Sequence, residues 1–263
     1  MDFLLLIDKG IFPVYAKSRN LCRNACGLRQ TYHQKERVHM DQNARAVMEK
    51  RMAIVCSNLE KNNMQAFYVP SGEEALQLVQ SMLREGETVA TGGSMSLKEC
   101  GIIDLLKSGK YTFLDRSDPD LSPEEKEEVT RKAFFADTYL CSSNAVTEAG
   151  ELYNVDGNAN RVAALAFGPK SVILVVGYNK VVCNLDEAIN RVKAIACPAN
   201  CQRIPCETYC REKGRCVSLG KEHSSMTDGC QSPARICCSY LVQAYQKQKN
   251  RIKVILVGED LGY

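Results

Sequence analysis

The run Ser171-Val172-Ile173-Leu174-Val175-Val176, capped by Gly177, constrains this chain more than any other segment. A continuous apolar stretch rich in valine and isoleucine reads as a strand buried on both faces of a parallel sheet. Open sheets of that kind put their ligand sites at strand ends. The residues leading up to the run fit such a site. Ser142, Ser143, Asn144, Thr147 and Glu148 are small or polar, and Asp156-Gly157-Asn158-Ala159-Asn160 is a Gly/Asn-rich turn with Arg161 directly after it.

The rest of the chain alternates between the two periodicities. Ala44, Val47, Met48, Met52, Val55 and Leu59 recur at helical spacing between Asp41 and Asn62. Ala66 to Val69 is a short strand stopped by Pro70, and Ser71-Gly72-Glu73-Glu74 opens a helix with a capping box. Thr88 to Thr91 is a strand running into Gly92-Gly93-Ser94, and Ser96 to Leu106 is the next helix. Tyr111 to Leu114 is again a strand, and Ser122-Pro123 starts a helix with proline in its first turn. Thr138 to Ser142, Ser171 to Val176 and Ile252 to Val257 are three more strands, with a helix at about Leu185 to Ala194. This βαβ alternation predicts an α/β fold, a mostly parallel sheet with helices on both faces.

A chain of 263 residues, 45% hydrophobic and 25% charged, can bury a full core and suits an ordinary globular protein. No apolar run is long enough to span a bilayer. The start, MDFLLLIDKG, has Asp2 where a signal peptide carries basic residues, and Asp8 ends its short apolar run. A cytoplasmic protein with no membrane partner is the expectation.

Residues 1–39 lack periodicity and hold seven of the 34 Lys/Arg against three of the 31 Asp/Glu. They read as a poorly packed basic tail before a natural start at Met40, and the remainder, a domain over 40–263, is close to neutral. No basic stripe interleaved with aromatics is present, so no nucleic-acid partner is expected. Cys22, Cys26, His33 and His39 in the tail have no compact metal-site spacing.

The stretch from Asn144 onward carries a family resemblance. Asn144 to Glu151 reads N-A-x-T-E-x-G-E, Asp156 to Val162 reads D-G-x-x-N-R-V, and Gly168 to Lys180 reads G-P-K-x-V-x-x-V-x-G-x-N-K. These segments resemble the LUD domain, named for lactate-utilisation proteins. Gly92 to Leu97 and Ile252 to Glu259 fit as well, so the resemblance spans Met40 to Tyr263. It implies a fold like that of CoA transferases, ribose-5-phosphate isomerase and formyltetrahydrofolate cyclo-ligase. The reaction does not follow from the fold, and whether the chain is an enzyme stays open.

The site expected from these motifs has several parts. Gly92, Gly93 and Ser94 form a strand-to-helix turn where glycine permits positive φ and close backbone approach, suited to an anion; a plain tight turn is the alternative. Asn144, Asn158, Asn160, Arg161 and Lys180 supply donors for a carboxylate or phosphate, organic cofactor unspecified, although solvated surface charge is the alternative for Arg161 and Lys180. Glu148 resembles the glutamate that forms the acyl-CoA thioester in CoA transferases. Thr147 and Ala149 depart from that motif, so a ligand-binding role stands beside the catalytic one.

Eight of the 14 cysteines fall between Cys197 and Cys238. A long irregular excursion needs something to order it, and clustered thiols in a reducing compartment favour metal over disulfides. Related LUD sequences carry a similar C-x3-C-x5-C-x2-C-x6-C series. It maps onto Cys206, Cys210, Cys216, Cys230 and Cys237, with thirteen residues in place of two between the third and fourth. Zinc or an iron–sulphur cluster is the metal reading, though the spacing lacks paired C-x2-C ligands, and reduced structural cysteines are the alternative.

Two functions follow as expectations. The first is a LUD protein related to lactate utilisation that binds a small anionic metabolite or cofactor at the strand ends. The alternative is a non-catalytic, metal-carrying subunit of a lactate-oxidising assembly with iron–sulphur oxidoreductase partners, or a thiol or metal sensor on the same fold.

Overall fold

A computed structural model of the chain describes residues 40–263 except His223; the expected basic tail, with its two cysteines and two histidines, lies outside the described residues. The first half runs α1 (Gln42–Lys61), β1 (Gln65–Val69), α2 (Gly72–Met82), β2 (Thr88–Thr91), α3 (Met95–Glu99), α4 (Ile102–Leu106), β3 (Thr112–Leu114) and α5 (Pro123–Lys132). It continues through β4 (Thr138–Cys141), β5 (Ala145–Thr147), β6 (Leu152–Asp156), α6 (Asn160–Ala166), β7 (Ser171–Gly177) and β8 (Val181–Val182). The last part is α7 (Leu185–Arg191), α8 (Cys197–Arg203), α9 (Tyr209–Lys213), β9 (Ser239–Gln243) and β10 (Ile252–Val257).

Six strands form an all-parallel sheet in the order β1-β10-β7-β4-β2-β3. β7 is central, and its alternation divides the core. Val172, Leu174 and Val176 pack on one face with Met52, Val55 and Leu59 of α1. Ile173 and Val175 pack on the other with Ala75 and Val79 of α2, Leu97 of α3 and Ile102 and Leu106 of α4. β10 repeats the pattern, with Val254 and Leu256 on the α1 side and Ile255 and Val257 opposite. Past Ser171 and Lys253 at their starts, both strands are apolar because both faces are covered.

Helix starts follow their capping chemistry. Asp41 accepts from the backbone N–H groups of Asn43 and Ala44, and Ser71 accepts from Glu74 N. The full reciprocal capping box is made by Ser122 and Glu125 at α5, with Pro123 at the first position. Three expectations need correction. Ala44 and Val47 are exposed, Val47 at 67%, and the buried stripe of α1 is Met48, Met52, Val55 and Leu59. The single helix expected over Ser96 to Leu106 is two helices, interrupted at Cys100-Gly101. The helix after Leu185 does not end at Ala194 but passes through a π turn at Val192–Ala196 into α8, with Pro198 in the first turn.

A second, four-stranded sheet, β8-β5-β6-β9, was not anticipated. β6 lies antiparallel to both β5 and β9, and β5 pairs parallel with β8. Its outer apolar face packs on Ala188 and Val192, next to the cysteine segment. The cysteine-rich excursion thus reaches the central strands through β9. No helix among the described residues is long and apolar enough to cross a membrane.

Candidate functional site

The carboxyl ends of β2, β3, β4 and β7 meet the second sheet and α8 around a cavity of about 510 Å³. Gly93 and Ser94 enter it from the end of β2, Arg116 from beyond β3, and Ser142, Ser143 and Asn144 from the end of β4. Asp156, Gly157 and Asn158 follow β6, Asn160 and Arg161 open α6, and Lys180 follows β7. Asn200 and Arg203 of α8, Arg235 and Tyr263 close the other side. Ligand sites of open α/β sheets lie at this edge for a topological reason: successive βα turns converge there.

Arg161 is the strut of this edge. Its Nε donates to Asp156 Oδ1 at 2.9 Å, Nη1 to Ser142 O at 3.1 Å and to Asn154 Oδ1, and Nη2 to Asn144 Oδ1 at 2.8 Å and Val155 O at 2.9 Å. Every guanidinium N–H therefore has a protein acceptor, and the Asp156 carboxylate is committed to it and to Val162 N. Arg161 lines the cavity but holds β4, β6 and α6 together rather than reaching for a ligand. Gly92 makes room for it. A β-carbon there would stand 3.0 Å from Arg161 Cδ and 3.0 Å from the Tyr139 hydroxyl. Close approach, not positive φ, is what the glycine supplies. Ser94 caps α3 by accepting from Leu97 N at 3.3 Å, and α3 has only five residues.

Lys180 is 3% exposed. Its Nζ donates to Ser96 Oγ at 2.9 Å and Ser142 Oγ at 3.1 Å. Burial, then the charges of Arg191 and Arg161, push its pKa down from 10.5 to about 7. Arg191 stands behind it, donating to Asn179 O and Asn144 O, and burial lowers its own pKa to about 10. Asn158 and Asn160 line the cavity alongside. Sequence reasoning missed Arg116, Ser96, Arg203, Arg235 and Tyr263. Two of them carried a signal: Ser96 lies within the motif segment Gly92 to Leu97, and Arg116 stands just past the end of a strand.

Glu148 is elsewhere, and its expected convergence with Gly93 does not occur. The turn Thr147-Glu148-Ala149-Gly150 docks on α1. Glu148 takes an ion pair from Arg51 Nε, Asn58 donates to Glu148 O at 2.7 Å, and Asn62 donates to Ala149 O at 2.9 Å. Gly150 sits at φ +81°, and a β-carbon on it would lie 2.8 Å from the α1 backbone at Asn58 and Leu59. The glycine serves helix–turn packing. Because the Glu148 side chain is 39% exposed, Glu148→Gln should change the unfolding free energy by less than about 1 kcal/mol and leave anion binding unaltered. Calorimetric titration and urea unfolding of the variant check this; a lost ligand response would return Glu148 to the site.

The cysteine segment packs in two groups. Cys201, Cys206, Cys210 and Cys216 form one buried cluster with Leu219, Ala234 and Ile236. Cys237 sits with Cys197 against the second sheet, and Cys230 is half-buried. The thiols interact in pairs. Cys210 donates toward Cys216, whose thiol is lowered further by Ser218 and Lys193. Cys197 donates toward Cys237, which is also lowered by Arg235, whose Nε lies 3.2 Å from its Sγ. Among the described residues no three His, Cys, Asp or Glu side chains are arranged to hold a metal ion. Of the five cysteines expected to approach one another, Cys206, Cys210 and Cys216 lie in the first cluster, Cys237 lies in the second, and Cys230 belongs to neither.

Residues 52–257 match the family model of the LUD domain. The chain belongs to this family. Its membership connects the chain with lactate utilisation and agrees with the six-stranded parallel sheet flanked by helices. Among solved structures, the chain is similar to a DUF162 family protein from Deinococcus radiodurans. Identity is 16%, coverage 81% of this chain and 98% of that one, and the TM-score 0.42. No curated protein matches the chain. Within the LUD domain, Gly92, Asn144, Asp156, Arg161 and Lys180 all belong to the motif segments, and all except Gly92 line the cavity directly.

Proposed function

We propose that this LUD domain binds a small anionic metabolite of lactate utilisation, a carboxylate or a phosphate ester, in the cavity at the strand ends. One observation carries the reading: the lining includes Arg116, Arg161, Lys180, Arg203 and Arg235 against a single acidic side chain, Asp156, which is already bound by Arg161. Arg116 makes no ion pair among the described residues, and its Nη2 lies over Gly93, where a β-carbon would stand 3.2 Å away. A guanidinium open to the cavity recognises a carboxylate or phosphate through paired N–H donors. Titration with pyruvate, lactate and inorganic phosphate tests it. At least one should bind, and Arg116→Ala should weaken that binding about 10- to 100-fold, the equivalent of one charge-assisted hydrogen bond. Affinity unchanged in Arg116→Ala, or no binding of any of the three, overturns the reading.

A second reading rests on the buried thiols Cys201, Cys206, Cys210 and Cys216. In it the segment takes up zinc or iron as part of an assembly with iron–sulphur oxidoreductase subunits. The thiols would have to rearrange, since no three are set for a metal among the described residues. Anaerobically purified protein should then contain stoichiometric metal, and protein free of both zinc and iron removes this reading.

A further inference from the structure

We propose that Lys180 is a nucleophile: its amine attacks the carbonyl carbon of a small 2-oxo acid held in the cavity and forms an imine with it. The proposal rests on the anion-binding reading and goes beyond it by assigning a covalent chemistry. Its ground is the arrangement around one nitrogen. Ser96 Oγ donates to Leu261 O at 3.2 Å and Ser142 Oγ to Ser143 O at 3.4 Å, so both hydroxyls turn their lone pairs to Lys180. The two donations from Nζ to these serines use both hydrogens of a neutral amine. The remaining tetrahedral position carries the lone pair, and Lys180 lines the cavity. As an ammonium the group would present a third N–H there, with no carboxylate in ion-pair contact among the described residues.

Burial and two neighbouring cations favour the neutral form, which is how lysines are made nucleophilic at neutral pH. The substrate class follows from what surrounds the amine. A guanidinium such as Arg116 holds a carboxylate, and a carbonyl adjacent to that carboxylate is the electrophile an amine can use. Oxidation of lactate at C2 produces a 2-oxo acid. The step balances without a redox partner. Nitrogen bonds to C2 while the carbonyl π pair moves to oxygen, and a proton leaves nitrogen for that oxygen by way of Ser142, which accepts from Nζ and lines the cavity. The nitrogen's remaining proton balances the second one: a proton added to the hydroxyl lets it leave as water as the nitrogen pair closes C=N, and the resulting iminium returns a proton from nitrogen. Amine and oxo acid give imine and one water.

The test is reductive trapping of the purified protein with pyruvate and sodium cyanoborohydride at pH 7, followed by peptide mapping. Expected is a single modification on the peptide containing Lys180, adding the mass of pyruvic acid less one oxygen atom. Surface lysines, protonated at that pH, are the internal control. Lys180→Arg should reduce the labelling at least 10-fold. Labelling spread over surface lysines, or no labelling, overturns the proposal. Calorimetric titration with lactate, which has no carbonyl, separates the two levels. Lactate binding without pyruvate trapping removes the imine and keeps the anion site. Absence of both, with no phosphate binding, removes both. Mapping the unmodified sequence needs no variant, so the result stands even if Lys180→Arg fails to fold.

Discussion

Replacing Arg251 with methionine should lower the unfolding free energy by about 2–4 kcal/mol, a large loss for one side chain. Arg251 is buried, and its guanidinium meets no carboxylate among the described residues; it donates to Pro169 O at 2.9 Å, Leu165 O at 2.7 Å and Ala164 O at 2.8 Å. Those carbonyls close the end of α6 and the turn into β7, where helix carbonyls have no intrahelical partner. Gln243 also reaches Leu165 O, so methionine would orphan chiefly the other two while filling similar volume. Arg251 further anchors the start of β10, since its carbonyl accepts from Val172 N at 2.9 Å. Urea unfolding measures the loss. Arg251→Lys should recover only part of it, because one ammonium cannot span three acceptors in the arginine fork. A loss under about 1 kcal/mol for the methionine variant would show that water replaces the guanidinium.

The parts of this fold legible in the sequence are those whose energetics are local or saturated with apolar side chains. β7 and β10 are buried on both faces over residues 172–176 and 254–257, so those residues are all apolar and the runs stand out. The capped starts at Asp41, Ser71 and Ser122 were legible because side chain and backbone donor lie within three residues of each other. The second sheet was not. β5 has three residues and β8 two, and β8 and β9 exist through pairing with strands distant in sequence. Thr147 and Asn154 are fully buried there, which breaks the apolar pattern that periodicity detects.

The candidate site divides the same way. Gly93, Ser94, Asn144 and Lys180 fall around the cavity because they follow β2, β4 and β7 at one edge of the six-stranded sheet, and Asn158, Asn160 and Arg161 join them from the end of β6 in the second sheet. Glu148 follows β5 instead, in a turn docked on Arg51 and Asn58 of α1, and that docking is invisible in a motif read along the chain. Arg161 and Arg116 look alike in sequence. Only the acceptors assembled from β4 and β6 make one a strut and leave the other open.

The same surroundings that make Lys180 reactive should make it costly to the fold. Lys180→Met is expected to stabilise the protein at pH 6 while abolishing any covalent chemistry, a trade found where function requires an unfavourable buried group. In the unfolded chain the amine has its ordinary pKa of 10.5, and in the folded chain about 7. Between those values the unfolded state binds one proton more, so this residue makes stability rise with pH across that window. Below about pH 7 both states are protonated and the full cost of a buried ammonium is present, at most about 5 kcal/mol. Methionine removes that cost, and Ser96 and Ser142 keep their bonds to Leu261 O and Ser143 O. The difference between variant and parent should therefore be largest at pH 6 and shrink toward pH 9.5. The charged or titratable groups facing Lys180 are Arg191, Arg161, Glu99, Cys141 and Cys100. Burial holds both thiols up to about 12, and Arg191 stays mostly charged below about 10, so none of these masks the window. Urea unfolding of both proteins at pH 6 and pH 9.5 gives the comparison. A stability difference independent of pH would mean that Lys180 stays protonated in the fold, and with it the nucleophile would lose its lone pair.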